Sequence, residues 1–260
     1  KDRISMVVTQ ALENKSVAVL SGGDAGLWGM AGVFVEAKEK FEFRFKVEVV
    51  PGIPSMTSIA SKLGAPLQNG FSIISVGDED VPFSVIEQRL KGAAYSGMVT
   101  VLFKLILENI AYPEYYPEEK YPELYPPEEK TKYRLQRTYD ILKEHIPEDR
   151  VMIIITDAYD QTAQYSSSVD MLGAKDGKES IDICQFGDFI KKSESFRFFT
   201  TVIIGDANTR ILADKTIYTP QWNYKWTYSV EMLDRIKDMD HLTEKNCFIK
   251  EKNDFKLLSA

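Results

Sequence analysis

Glycine recurs through the stretch from Ser21 to Gly29, at Gly22, Gly23, Gly26 and Gly29, with the carboxylate of Asp24 among them. Glycines at that density let a loop adopt positive φ and let backbone approach a ligand closely. The chemistry this offers is cofactor binding by main-chain groups. Gly23-x-x-Gly26-x-x-Gly29 is a loose version of a dinucleotide fingerprint. That fingerprint needs an acid ~20 residues on for the ribose, and Glu48 stands too far along. The plainer alternative is that these glycines only make a tight strand-to-helix turn. No Gly-Lys-Ser/Thr phosphate loop and no Gly-x-Ser-x-Gly elbow occurs. His145 sits at the end of an expected helix, where the dipole favours a cation, and His241 follows Asp240. Both read as surface histidines rather than bases. Cys184 reads as a small buried hydrophobe. No His/Cys/Asp/Glu cluster has metal-ligand spacing, so no metal is expected. An enzyme built this way works by positioning a reactive cofactor against a reactive substrate.

The elements that must hold this loop read as follows. Val17 to Leu20 is a short apolar run rich in β-branched residues, expected as a buried strand. Leu27 to Lys40 reads as helix and Phe41 to Val50 as strand, stopped by Pro51-Gly52. A helix is expected from Ser55 to Lys62, closed at Gly64, then strands over Ser72–Val76 and Met98–Phe103 flanking a helix over Pro82–Gly92. This is the grammar of a parallel α/β sheet, which binds ligands at the carboxyl ends of its strands. Tyr112 to Glu129 is crowded with Pro, Tyr and Glu and reads as a surface insertion. Beyond it come a helix over Lys132–His145 and a strand over Val151–Thr156. A strand over Gln164–Ser168 and a short helix over Asp182–Ile190 are expected next. Thr200–Gly205 reads as strand, Ile211–Tyr218 as a hairpin and Ser229–Asp238 as helix, with a polar tail from Thr243. The expected organisation is an N-terminal α/β lobe over 1–103, the insertion over 104–130, a C-terminal lobe over 131–228 and a helical, polar tail over 229–260.

Size and charge bound the function. The chain has 260 residues and a net charge of −7, which argues against nucleic acid as a partner. Two cysteines, Cys184 and Cys247, make neither a disulfide framework nor a metal cluster, so a reducing compartment is the default. No run of ~18 apolar residues would span a bilayer, and no signal peptide is read. The expectation is a cytoplasmic protein with no membrane partner. The chain opens at Lys1 directly on a helical pattern, Ile4, Val7, Val8, Ala11 and Leu12 on one face with Asn14 as a stop. Residues preceding Lys1 are expected in the natural protein.

Three blocks carry a resemblance. The segment from Leu20 to Gly32, Leu-Ser-Gly-Gly-Asp-Ala-Gly-Leu-Trp-Gly-Met-Ala-Gly, resembles the second motif of the tetrapyrrole methylases. Within that family the Gly-Met-Ala ending is most similar to the precorrin-3B and cobalt-precorrin-3B C17-methyltransferases of cobalamin biosynthesis. Val49-Val50-Pro51-Gly52-Ile53-Pro54-Ser55 followed by Leu63-Gly64-Ala65-Pro66-Leu67 resembles the next block. The run from Phe199 to Arg210, followed by Tyr218-Thr219-Pro220, resembles the last. Three blocks in one order say more than any of them alone. The family's N-terminal Gly-x-Gly-Pro-Gly loop is not in this sequence, and Ala25 replaces the usual Pro. Lys104 stands where Asn-Pro is usual, and Thr156-Asp157-Ala158 where Arg-Asn/Asp-Ala is usual. The last two changes fall where substrate would lie.

The resemblance implies a two-lobed α/β fold with a cleft between lobes and its N-terminal strand absent, and a homodimer. It implies S-adenosylmethionine (SAM) as cofactor, with S-adenosylhomocysteine (SAH) as its product. The implied cofactor contacts are Gly22, Gly23, Asp24 and Leu27 from the loop, Ser55 and Met56 after the Pro-Gly-Ile turn, Phe103, Ala158, Thr219 and Pro220. Asp24 is the one weak candidate for a catalytic base; the alternative is a structural role, or a hydrogen bond near the amino-acid end of the cofactor. The implied substrate is a carboxylate-rich macrocycle, methylated at C17 with ring contraction. Basic residues should line its cleft, and Lys104, Arg134, Arg137 and Arg210 are the candidates, each with an alternative reading as a solvated surface charge. Two other functions stay open: a methylase acting on a different target, and a non-catalytic SAM-binding or interaction protein that kept the fold, with the Tyr/Pro/Glu insertion as its partner surface.

Overall fold

The computed structural model describes residues 2–42, 45–107, 128–158, 179–197 and 199–220. The expected elements at Gln164–Ser168 and Ser229–Asp238, His241, Cys247, the polar tail, and most of the Pro/Tyr/Glu stretch lie outside them.

The centre is a five-stranded sheet. Its strands are β2 (Phe71–Ser75), β3 (Val99–Phe103), β4 (Val151–Thr156), β5 (Ser180–Gln185) and β6 (Thr200–Ile204), in the order β2-β3-β6-β4-β5. The strands come from both sides of Phe103. Only β2 and β3 pair in parallel; β6 runs antiparallel to both β3 and β4, and β5 antiparallel to β4. The sheet is therefore mixed, not parallel as the strand-helix alternation suggested. Because β6 opposes both β3 and β4, those two run the same way and end at one edge. Phe103 and Asp157-Ala158 stand at that edge. The expectation of a helix over Asp182–Ile190 also needs correction. Six residues of β5 pair with all of β4, from Val151↔Gln185 to Thr156↔Ser180, and ladder bonds to a neighbour override local helical spacing. A 3-10 turn at Phe186–Asp188 and helix α6 (Phe189–Ser193) follow.

Strand alternation divides the core. Leu102, Met152, Ile154, Val202 and Ile204 face helices α4 (Phe83–Ser96), α5 (Glu128–Leu142) and α6, together with Ile86, Leu90, Ile141, Leu142, Phe186 and Phe189. Val99, Val101, Ile153, Ile155 and Ile203 face α3 (Ser55–Leu63), which lays Met56, Ile59 and Leu63 on them. Both faces are thus covered, and the strands read as continuous apolar runs for that reason. A small sheet joins β1 (Gly64–Ala65), parallel to β8 (Ile217–Tyr218), which pairs antiparallel with β7 (Arg210–Ile211). This is the expected hairpin.

The N-terminal residues depart further from expectation. Helix α1 (Asp2–Leu12) forms, and Asn14 takes φ 62° where it stops. Val17 to Leu20 forms no strand and is not buried; Leu20 is 93% exposed. The described part of Phe41–Val50 forms no strand either, and Val50 is 72% exposed. An apolar run records what a segment would bury, but a strand also needs a neighbouring backbone to pair with. Among the described residues no strand pairs with either segment. Helix α2 spans Ala31–Lys40 rather than starting at Leu27, because Trp28 holds φ 52°, which no α-helix accommodates.

Candidate cofactor cleft

The glycine loop is shaped by Asp24. Its carboxylate accepts the Gly26 N–H at 2.8 Å and, from across the cleft wall, the Gly52 N–H at 2.9 Å. The Leu27 N–H closes a turn on the Asp24 carbonyl at 3.3 Å. These backbone donors, Gly52 first, hold the Asp24 carboxyl below the usual value, so it stays an anion. Asp24 therefore ties the loop to the Pro51-Gly52 turn that leads into α3. The tie needs glycine on the other side: a Cβ on Gly52 would overlap the Gly23 carbonyl oxygen.

An open cleft of about 160 Å³ results, lined by Gly22, Gly23, Asp24, Leu27, Trp28, Pro54, Ser55, Met56 and Phe103. It lies where the amino end of α3 meets the carboxyl end of β3. Seven of the ten residues named from the sequence as cofactor contacts line it. Two others, Trp28 and Pro54, went unnamed. Pro54 caps α3 without a side-chain hydrogen bond; its carbonyl accepts the Thr57 and Ser58 N–H groups at 3.1 and 3.2 Å, so only those of Ser55 and Met56 face outward from the helix end. Gly23 has φ +69°, and a Cβ there would reach into this space, 4.0 Å from the Ser55 nitrogen. The loop thus keeps room beside the helix amino terminus.

The remaining candidates stand elsewhere. Ala158 follows β4 at the same sheet edge as Phe103 and packs on the α3-side core, outside the residues that line the cleft. Thr219 is buried; its hydroxyl donates to the Pro66 carbonyl at 2.7 Å and its N–H to the Ala65 carbonyl at 3.1 Å. It fastens β8 to the end of β1, and Pro220 follows it, half-buried. Arg134 is buried, with Nη1 bonded to the Val76 carbonyl at 3.1 Å and the Asp78 carbonyl at 3.4 Å, and its guanidinium 4.8 Å from the Phe83 ring centre. Burial lowers its pKa. That guanidinium is committed to the β2–α4 connection. Arg137 binds Glu87 through Nε at 2.6 Å, joining α5 to α4 on the face of the sheet away from α3. Arg210 is exposed on β7. Lys104, half-buried at φ 48°, follows Phe103 directly and is the candidate cation nearest the cleft in sequence. His145 is exposed with its ring edge-on to Tyr95 at 5.6 Å. Cys184 is half-buried, its thiol pushed up to about 11 mainly by desolvation, which disfavours the thiolate. Among the described residues no group of three His, Cys, Asp or Glu could hold a metal ion, and no helix is long and apolar enough to cross a membrane.

The family model described as Tetrapyrrole (Corrin/Porphyrin) Methylases matches residues 1–158, and the chain belongs to that family. Among curated relatives, the cobalt-factor III methyltransferase of Priestia megaterium is 41% identical over 105 residues, 39% of this chain and 19% of that protein. The precorrin-3B C(17)-methyltransferase of a Sinorhizobium species is 39% identical over 108 residues, 40% of this chain and 42% of that protein. Each match thus covers less than half of the relative's length. The crystal structure of the methyltransferase CobJ shares the fold, with a TM-score of 0.62 at 24% identity over 84% of this chain and 76% of that one.

Proposed function

We propose that the chain transfers a methyl group from SAM to C17 of a precorrin-3B-type macrocycle, with ring contraction, in cobalamin biosynthesis. The observation that carries this reading is the cleft itself, which gathers Gly22, Gly23, Asp24, Leu27, Ser55, Met56 and Phe103. The two relatives named for cobalt-factor III and precorrin-3B chemistry support the choice of macrocycle. A cytoplasmic homodimer completes the reading.

SAM fits these residues. The Ser55 and Met56 N–H groups at the start of α3 suit its carboxylate, the room kept by Gly23 suits close backbone approach, and Met56, Leu27 and Phe103 give an apolar wall. When bound, it supplies an electrophilic methyl on a sulfonium. The residues of the chain then have three tasks: to hold that end in line with the substrate carbon, to exclude water, and to keep the loop shut. Asp24 does the last. With both carboxylate oxygens accepting backbone N–H groups, it is a positioning residue rather than a base. Ala158, Thr219 and Pro220 belong to the wider cofactor site in this proposal. Lys104 and Arg210 are the cations for substrate carboxylates, whereas Arg134 and Arg137 already have protein partners.

The test is mass spectrometry of precorrin-3B and its cobalt form after incubation with SAM and the protein. A gain of one methyl group in either, with ring contraction, is expected. Methylation elsewhere on the ring, or none by a protein that binds SAM, would refute the C17 assignment; the second result would favour a binding protein that shares the fold.

A further inference from the structure

Trp28 departs from the rest of the loop in two ways at once. It is not glycine, yet its φ is +52°. It is the largest side chain of the cleft lining, yet it is 58% exposed. Left-handed backbone at an aromatic residue is strained and persists only where its surroundings enforce it. Here they do. The Ala31 N–H donates to the Ala25 carbonyl at 2.9 Å and the Met30 N–H to the Ser21 hydroxyl at 3.4 Å. Gly29 packs so tightly that a Cβ would lie 2.5 Å from the Ala25 carbonyl oxygen. The loop therefore holds the Trp28 backbone in place, with its side chain in the cleft lining and largely exposed. Phe103 meets it edge-on, with ring centroids 5.9 Å apart at 75°, which leaves most of the residue uncovered.

The charge of the lining says what could cover it. Asp24 is the one ionisable side chain among the nine lining residues, and none of the nine is Lys, Arg or His. An anionic group beside Trp28 would find no cationic side chain in the lining, whose one charge is the Asp24 carboxylate; the backbone N–H groups that suit an anion stand at the α3 end of the cleft. A cation would meet both a carboxylate and a π face, which attracts it electrostatically. We propose that Trp28 binds the sulfonium of SAM directly by a cation–π contact, so that the cleft distinguishes the charged methyl donor from neutral SAH. This rests on the SAM reading above. It gives the cleft a reason to release its product, since loss of the methyl removes the charge the indole attracts.

Calorimetric titration of wild type, Trp28→Leu and Trp28→Phe with SAM and with SAH tests it. Wild type is expected to bind SAM more tightly than SAH. Trp28→Leu should lose SAM affinity roughly three- to thirtyfold while its SAH affinity stays within about twofold, which also shows the loop intact. Trp28→Phe should keep part of the preference. Equal losses of SAM and SAH in Trp28→Leu would overturn the proposal and make the indole a plain packing wall. So would a wild type that binds both alike, or a Trp28→Phe variant no better than Trp28→Leu. A wild type that binds neither would overturn the SAM reading as well.

Discussion

Gly52→Ala is expected to weaken SAH binding about ten- to a hundredfold while leaving the sheet folded. The added Cβ has nowhere to go: it overlaps the Gly23 carbonyl oxygen and comes within 3.3 Å of the Asp24 Cα. The turn cannot back away without breaking the bond from the Gly52 N–H to Asp24. Forcing a methyl into such a contact costs about 1–3 kcal/mol, and each 1.4 kcal/mol is about tenfold in Kd. Neither Gly52 nor Gly23 belongs to the two core clusters, so the urea midpoint should move little. Unchanged SAH affinity would mean that the loop and turn do not form the binding wall.

Phe189→Ala should have the reverse profile. Phe189 is wholly buried, with Phe186 at 6.2 Å, Phe196 edge-on at 5.7 Å and Tyr139 stacked at 6.2 Å between ring centroids. Truncating a core Phe costs about 3–5 kcal/mol, through lost burial and the cavity left behind. Four rings share this site, from α5, the 3-10 turn, α6 and the segment just after α6, so collapse to fill the hole would need several elements to move. The cluster lies on the face of the sheet away from α3. The folded fraction should therefore bind SAH as wild type does. Urea denaturation checks the first point and titration below the unfolding transition the second. A loss under about 1 kcal/mol would show that the ring cluster is not a keystone of this face.

What could be read from the sequence follows from what each element needs. Val151–Thr156 was legible to the residue because it is buried on both faces and its apolar run depends on no spacing. Ser55 to Gly64 was legible because Pro54 and Gly64 punctuate it at both ends. Val17–Leu20 carries the same kind of signal as β4 and yet forms no strand and is exposed, since composition does not say whether a partner strand stands beside it. That the α3 amino end, the glycine loop and Phe103 come together was legible through resemblance, and they line one cleft. The bond from Asp24 to Gly52 was not, because it spans 28 residues and joins a side chain to a backbone group. Trp28 stood in view inside the quoted motif. A large aromatic among glycines was the available signal, but only its φ and exposure show that the loop presents it. Arg134 shows the opposite limit: a basic residue looks free in a sequence, and the carbonyls of Val76 and Asp78 that occupy it can be found only in three dimensions.

The central claim is that the cleft between the glycine loop, the start of α3 and Phe103 takes an S-adenosyl ligand. Calorimetric titration of the protein with SAH, beside NADH, tests it most directly. Micromolar binding of SAH with no heat from NADH is the predicted result. Binding of NADH in place of SAH, or of neither, would contradict it.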